Sequence, residues 1–337
     1  MTRSEREARP GKSLDLLAIG RAGIDLYSLD YGAPLEKVTR FAKYVGGTTA
    51  NIVVGAARLG LSCALITRVG DDEHGRFIKD YLEAEGVDAS RVELDPRRKT
   101  GIVFSEVTPG KDSKFIFYRE NAGDLFLRKS DVPSSLLSSA SLVLLTGTGL
   151  SREPSLGSTV HVAKETKRLG GRLVFNLDWR PPLWSVPERV RVARYATVIE
   201  GADIIVGNDG EYRAATGEAD VDSALDSIPA LASKLAVVTQ GARGSLVVFK
   251  GRRQFVPGFE VKLLKGLGGG DGFLSGFLFG ILRGWDAARS AAFGNACGAI
   301  VVTGHACSES MPRLPEVTRF LKQRGYGFSR GAGPSKP

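Results

Sequence analysis

Short, continuously apolar runs recur along the chain at residues 14–19, 63–67, 142–146, 173–177, 204–206, 235–239 and 245–249. Between them lie segments with apolar positions at helical spacing: 49–59, 75–85, 158–169, 188–199, 223–234, 271–283 and 287–303. Strands apolar on both faces, alternating with helices, predict an α/β fold: a doubly wound, mainly parallel sheet in three layers, α/β/α. One region departs from this rhythm. Residues 26–45 and 100–119 alternate with period two, most clearly in Lys114-Phe115-Ile116-Phe117-Tyr118-Arg119, and no crossover helix separates 101–107 from 114–119. That pattern predicts a small antiparallel β lid beside the main sheet, with one apolar face that can cover a site or join two copies into a homodimer.

No linker rich in Pro or Ser divides the chain, and no fixed-period repeat is visible. A single domain over residues 14–322 is expected, with disordered tails over 1–13 and 325–337. The 42% of hydrophobic and 25% of charged residues exclude disorder for the bulk of the chain. The most apolar helical stretch, 273–282, is far short of the roughly 20 residues that a bilayer requires, so no membrane partner is expected.

The net charge of +9 suggests nucleic acid only until it is located. Residues 1–12 carry +2 and residues 317–337 carry +5, which leaves +2 for the body of the chain. No basic stripe interleaved with aromatic residues marks a nucleic-acid groove. Three scattered cysteines, Cys63, Cys297 and Cys307, make no disulfide framework, and the chain opens without the apolar core of a signal peptide. A reducing cytoplasm is the expected home. His305 and Cys307 lack the partners that zinc spacing requires.

The segment Gly266-Leu267-Gly268-Gly269-Gly270-Asp271-Gly272-Phe273 runs directly into a helical pattern. Glycines let backbone N–H groups converge at a helix N-terminus, where the helix dipole also favours an anion, so a phosphate is the natural guest. An isolated Asp at this position would read first as a helix cap. The surrounding glycines weigh against that, because a cap needs one acceptor and no glycine-lined concavity. In phosphoryl transfer, a carboxylate beside the bound phosphate can take the proton of an attacking hydroxyl. The phosphate-binding Gly-x-x-x-x-Gly-Lys-Ser/Thr loop is absent, and Phe273 breaks the dinucleotide Gly-x-Gly-x-x-Gly pattern. A second cluster, Gly46-Gly47-Thr48-Thr49-Ala50-Asn51, also precedes an apolar helix, and Asp25 follows the first strand. Asp25 and Asn51 offer the acceptors and donors that sugar hydroxyls require; a tight turn capping a helix fits the glycine pair equally well.

In order along the chain, Gly46-Gly47 with Ala50-Asn51, Gly70-Asp71-Asp72 with Gly75, Asn208 with Glu211, Thr239-Gln240-Gly241 with Gly244, and Gly268-Gly269-Gly270-Asp271 resemble the ribokinase-like, pfkB family of carbohydrate kinases. The resemblance spans residues 14–322. Four further segments are similar to the branch of the family that acts on a gluconate-type acid in inositol breakdown: Gly20–Tyr27, Phe117–Ala122, Asp178–Trp184 and Cys307–Pro312. It implies phosphorylation of the primary hydroxyl of 5-dehydro-2-deoxygluconate, with ATP and Mg²⁺ as cofactors and a monovalent cation as a third to consider. It also implies roles by position. Asp271 would be the catalytic base, and Gly268, Gly269 and Gly270 the anion hole. Asp25, Gly46, Gly47 and Asn51 would hold the sugar, with Arg119 and Asn121 reaching in from the lid. Asn208 and Glu211 would organise Mg²⁺ through water, Thr239, Gly241 and Gly244 would flank the nucleotide, and Asn295 would border the adenine. Because guanidinium pairs with carboxylate in bidentate geometry, Arg21, Arg119 and Arg180 are candidates for the acid group of the sugar, Arg21 first.

Three positions depart from the family pattern. Gly269 and Gly272 stand where alanine is usual, which predicts a looser loop at a cost on the order of 0.5–1 kcal/mol each. Lys265 stands where Asp or Asn is common and places a cation either near the phosphates or in solvent. These departures motivate a rival reading, a sugar-binding regulator that has lost turnover. A sibling kinase for 2-keto-3-deoxygluconate, fructose or ribose is the nearer alternative.

Overall fold

The structure, a computed structural model, describes residues 12–110, 113–329, 331 and 333–335; residues 1–11 of the expected N-terminal tail lie outside that set. The chain opens with β1 (Leu14–Ile19), β2 (Gly23–Ser28), β3 (Phe41–Gly46), α1 (Thr48–Arg58), β4 (Cys63–Gly70), α2 (Glu73–Ala84) and β5 (Val92–Asp95). It continues through β6 (Ile102–Ser105), β7 (Phe115–Tyr118), α3 (Ser134–Ser139), β8 (Ala140–Thr146), α4 (Ser155–Arg168), β9 (Leu173–Asn176) and α5 (Glu188–Ile199). Then come β10 (Ile204–Asn208), α6 (Asp209–Thr216), α7 (Val221–Asp226), β11 (Leu235–Thr239), β12 (Gly244–Phe249) and β13 (Arg252–Pro257). Helices α8 (Gly269–Leu282), α9 (Ala287–Val301) and α10 (Leu314–Lys322) follow, and the short strands β14 (Gly327–Ser329) and β15 (Gly333–Ser335) close the described chain.

The main sheet has nine strands in the order β13-β12-β11-β10-β9-β8-β1-β4-β5. All its pairs are parallel except β11–β12 and β12–β13 at one edge. Alternation within β1 explains the two covering layers. Leu16 and Ala18 enter the core shared with α1, α8 and α9, whereas Leu17 and Ile19 enter the core shared with α4, α5 and α6. The strands that periodicity did not reveal, β5 and β13, sit at the two edges, where β13 exposes most of Arg252–Pro257 and so lacks the continuous apolar signature.

The lid has four strands in the order β3-β2-β6-β7. β2–β3 and β6–β7 are antiparallel, while β2 and β6 run parallel because the chain leaves the lid through α1, β4, α2 and β5 before returning. Ile116 and Tyr118 on β7 and Tyr31 in the β2–β3 connection are 48%, 57% and 51% exposed.

Two expectations are corrected. The helix expected over 223–234 stops at Asp226, because Pro229 intervenes and Ala230 adopts a left-handed φ of 54°. The tail expected to be disordered from 325 contains an antiparallel hairpin, β14 with β15, whose Gly333 backs onto Trp285 so closely that a Cβ there would lie 2.7 Å from the indole.

Candidate active site

Helix α8 begins at Gly269 because Gly268 takes φ 82°, a left-handed turn that glycine alone adopts freely, and a Cβ there would lie 2.6 Å from Cys307 Sγ. The first-turn N–H groups of a helix have no partner within it and carry its positive dipole end, so Gly268, Gly269 and Gly270 form a ready anion cradle. Asp271 lies in that first turn, 7% exposed. Asn51, early in α1, donates from Nδ2 to Asp271 Oδ2 at 2.8 Å, which fixes the carboxylate and leaves Oδ1 for another partner. Burial pushes the Asp271 pKa up to about 6 against the Asn51 bond, and the Asp178 charge adds to the rise.

On one side of Asp271, past the C-terminal ends of β9, β10 and β11, lies a cleft of about 450 Å³. It is lined by Asn208, Glu211, Thr239, Gly241, Gly244, Gly268, Gly269, Gly270 and Asn295. Crevices beyond the carboxyl ends of parallel strands are where open α/β sheets bind ligands. Asn208 and Glu211 cap α6 reciprocally: Glu211 N donates to Asn208 Oδ1 at 2.9 Å and Asn208 N to Glu211 Oε2 at 2.9 Å. Burial lifts the Glu211 pKa to about 7, opposed by Arg180 and reinforced by Asp178 and Asp271. Buried carboxylates that destabilise one another's ionised form suit a cation placed among them. The described residues contain no group of three or more His, Cys, Asp and Glu fit to cage a metal, so that cation would have to bring its remaining ligands with it. Mg²⁺ carried on a nucleotide's phosphates meets this condition, with Glu211 as the nearby carboxylate. Asn295 lines the cleft from α9 but spends its Nδ2 on the carbonyls of Val256 and Pro257, at 3.2 and 3.1 Å, fastening α9 to β13.

On the other side, under the lid, lies a tighter cleft of about 60 Å³, lined among others by Arg21, Asp25, Tyr27, Gly47, Thr48, Asn51, Phe115, Phe117 and Cys307. Asp25 accepts from Tyr27 Oη at 3.2 Å; burial raises its pKa and Arg21 opposes the rise. Arg21 donates from Nη2 to Thr48 Oγ1 at 3.2 Å, and its buried Nε has no hydrogen-bond partner among the described residues. Gly47 reaches φ 101° and a Cβ on it would meet the Arg21 carbonyl at 2.6 Å, so both conformation and space require glycine. Gly46 does not line the cleft; a Cβ there would lie 2.1 Å from the Asp25 carboxylate, so its absence makes room for Asp25.

The two clefts share Arg180, Leu267, Gly268 and Asp271. Arg180 donates from Nε to Asp178 Oδ1 at 3.0 Å. Asp178, 1% exposed with φ 35°, also accepts from Thr148 Oγ1 at 3.2 Å, and this holds the guanidinium at the junction.

Not every expected residue joins the site. Arg119 is buried against Asp124, which accepts from both its Nε and its Nη2, so it braces the end of the lid and lines neither cleft. Asn121 accepts from Arg98 at the surface and is likewise outside both clefts. Gly272 is inside α8, where a Cβ would lie 2.7 Å from Val301, and a Cβ on Gly269 would lie 2.9 Å from Val302, so both positions pack closely on α9 and its end. Lys265 is fully buried and does not reach solvent. His305 stacks on Tyr31, with its Nδ1 2.8 Å from the tyrosine oxygen. Tyr27, Phe115, Phe117, Asp178 and Cys307 join the site without an expected role, although each lies in or beside a segment already singled out.

Among the described residues no helix is long and apolar enough to cross a membrane. The model of the pfkB family carbohydrate kinases matches residues 13–314. A 5-dehydro-2-deoxygluconokinase of Shouchella clausii (strain KSM-K16) is 36% identical over 319 residues, covering 93% of this chain and 97% of its own length. A putative ribokinase II from E. coli, solved in complex with ATP and Mg²⁺, is 25% identical, superposes with a TM-score of 0.84 and covers 92% of this chain and 99% of its own. A fructokinase from Vibrio cholerae O395, solved with fructose, ADP and a calcium ion, is 28% identical with a TM-score of 0.78, at 92% and 99% coverage. A glycine cradle at a helix N-terminus, a carboxylate between two clefts and these likenesses agree: the chain belongs to the pfkB family of carbohydrate kinases.

Proposed function

We propose that the protein transfers the γ-phosphate of ATP to the primary hydroxyl of 5-dehydro-2-deoxygluconate, giving the 6-phospho acid in inositol breakdown. The observation that carries this reading is the meeting of the two clefts on Asp271 and Gly268. A hydroxyl held in the lid cleft and a phosphate held in the larger one face each other across those residues, the arrangement that phosphoryl transfer needs. The narrower substrate comes from the relatives that carry its kinase name, together with the buried Arg21, which suits a carboxylate.

In this reading Asp25 and Asn51 orient the sugar, and Arg21 pairs with its acid group. Asp271 accepts the hydroxyl proton on Oδ1, since Asn51 occupies Oδ2. The N–H groups of the Gly268–Gly270 segment stabilise the charge of the group in flight. Arg180, shared by both clefts, balances the carboxylates around it. Thr239, Gly241 and Gly244 flank the nucleotide, and Asn208 with Glu211 faces its metal, which would screen the phosphate charge from the incoming hydroxyl. The lid strands β2, β3, β6 and β7 exclude water, so ATP is spared hydrolysis. The exposed Tyr31, Ile116 and Tyr118 suit pairing of two lids in a homodimer.

ADP release with Mg·ATP tests the reading against 5-dehydro-2-deoxygluconate, 2-keto-3-deoxygluconate, fructose, ribose and no sugar. Turnover on the first at a kcat/KM well above the rest is expected. Preference for another sugar overturns the narrow substrate, and silence on all of them with sugar binding intact replaces the enzyme by a regulator.

A further inference from the structure

Lys265 is the largest charged side chain sealed from solvent among the described residues, at 0% exposure. Its Nζ donates to the Leu267 carbonyl at 2.8 Å and lies 3.9 Å from Cys307 Sγ and 5.8 Å from the Tyr27 ring centre. Neither hydrogen-bond partner is anionic at neutral pH, because burial keeps the Cys307 thiol up at about 11. A buried ammonium whose hydrogen-bond partners are a carbonyl and a thiol has no ion pair with either, so its charge acts on the peptide it grips and, through space, on the Asp25 carboxylate.

The carbonyl it grips belongs to the residue immediately before the cradle. A peptide bond is planar and trans, so the C=O of Leu267 and the N–H of Gly268 point in opposite directions. Fixing one fixes the other. Leu267 and Gly268 line both clefts, and the charge on Lys265 also favours the ionised form of Asp25 in the lid cleft. One ammonium therefore polarises the peptide at the start of the phosphate cradle and supports the carboxylate that faces the sugar. Gripping a loop carbonyl from behind is also what a bound monovalent cation offers.

We infer that Lys265 is a positioning residue, a cation built into the chain that orients the Leu267–Gly268 peptide of the anion cradle and frees turnover from any added monovalent cation. The inference rests on the kinase reading, and its test separates the two. Hydrogen–deuterium exchange of residues 266–272 requires no turnover. Faster exchange there in Lys265→Met, with the wild type unchanged between choline and potassium buffers, is expected whatever the sugar. With the sugar that the panel identifies, the wild type should turn over equally in choline, sodium and potassium. Lys265→Ala should lose about tenfold to a hundredfold in kcat, the range for disturbing preorganised donors, with sugar KM changed less. Ammonium or potassium should restore much of that loss, a response that a purely structural lysine would not give. Several-fold activation of the wild type by potassium overturns the inference, as does an unchanged kcat or unchanged exchange in Lys265→Met. If Lys265→Ala does not fold, the cation series on the wild type and the Lys265→Met exchange decide.

Discussion

The two clefts that meet at Asp271 are built from different materials. The larger one is rich in glycine: residues of α8, the loop after β11 and the ends of parallel strands, with α8 packed on α9. The lid cleft is mostly side chains: Asp25, Tyr27, Phe115 and Phe117, delivered by strands of the four-stranded sheet, and Arg21 from the connection that leads into it. Backbone amides read a phosphate, which every member of a kinase family shares, while side chains read the shape and charge of one sugar. In the proposed function, the first cleft carries the reaction class and the second the choice of substrate.

The sharpest way to break this division is at its boundary. Asp271→Asn should lower kcat by about a thousandfold or more while leaving ATP and sugar binding within a few fold, as removal of a general base predicts; steady-state kinetics with calorimetric binding checks both halves. Within the backbone cleft, Gly268→Ala should reduce kcat by about a hundredfold, because φ 82° and the contact with Cys307 both resist a Cβ. Gly270→Ala has nothing within 4 Å of its Cβ and should stay within about threefold of wild type; equal losses would show that flexibility, and not fit, sets the cradle. On the side-chain side, Arg21→Ala should raise KM for the acid sugar by about tenfold or more with a smaller change in kcat, and leave the KM for ATP alone.

The smallest effects come from titration. With Asp271 raised to about 6 and Glu211 to about 7, and both needed ionised, kcat/KM should fall as pH drops below roughly 7, by up to about tenfold per unit at first and steepening toward about a hundredfold per unit well below 6. The same shift has the opposite sign in stability. A carboxyl whose folded pKa lies above its unfolded value destabilises the fold progressively as pH rises from about 4 through 6. Asp271→Asn should therefore be the more stable protein at pH 8, by on the order of 1–3 kcal/mol, with the gap closing near pH 4. Thermal melts at the two pH values check it, and a variant less stable than wild type at pH 8 would mean that Asn51 contributes more than burial costs.

Much of this was legible in the chain. β1, β11 and α5 lie where the apolar pattern put them, since a strand buried on both faces or a helix buried on one has no other periodicity to show. Asp271, Asn51 and Asp25 meet at one junction as their motifs implied. Edge strand β13 was not legible, because exposure removes the apolar signal, and neither was the C-terminal hairpin, whose Gly, Ser and Pro content resembles a tail until it packs on Trp285.

What the sequence alone determined was the layered α/β fold, the glycine cradle before α8 and the carboxylate within it, since these depend on local spacing and on the conformational freedom of glycine. Tertiary structure decided which arginines face the lid cleft, Arg21 and Arg180 but not Arg119, and where Lys265 goes. Arg21 and Arg119 are chemically equal in a sequence, but Asp124 lies within reach of only the second. Lys265 reads as a cation either near the phosphates or in solvent until the chain folds Cys307 and Tyr27 around it. The direction of a long charged side chain is set by partners distant in sequence, and those partners meet only in the folded protein.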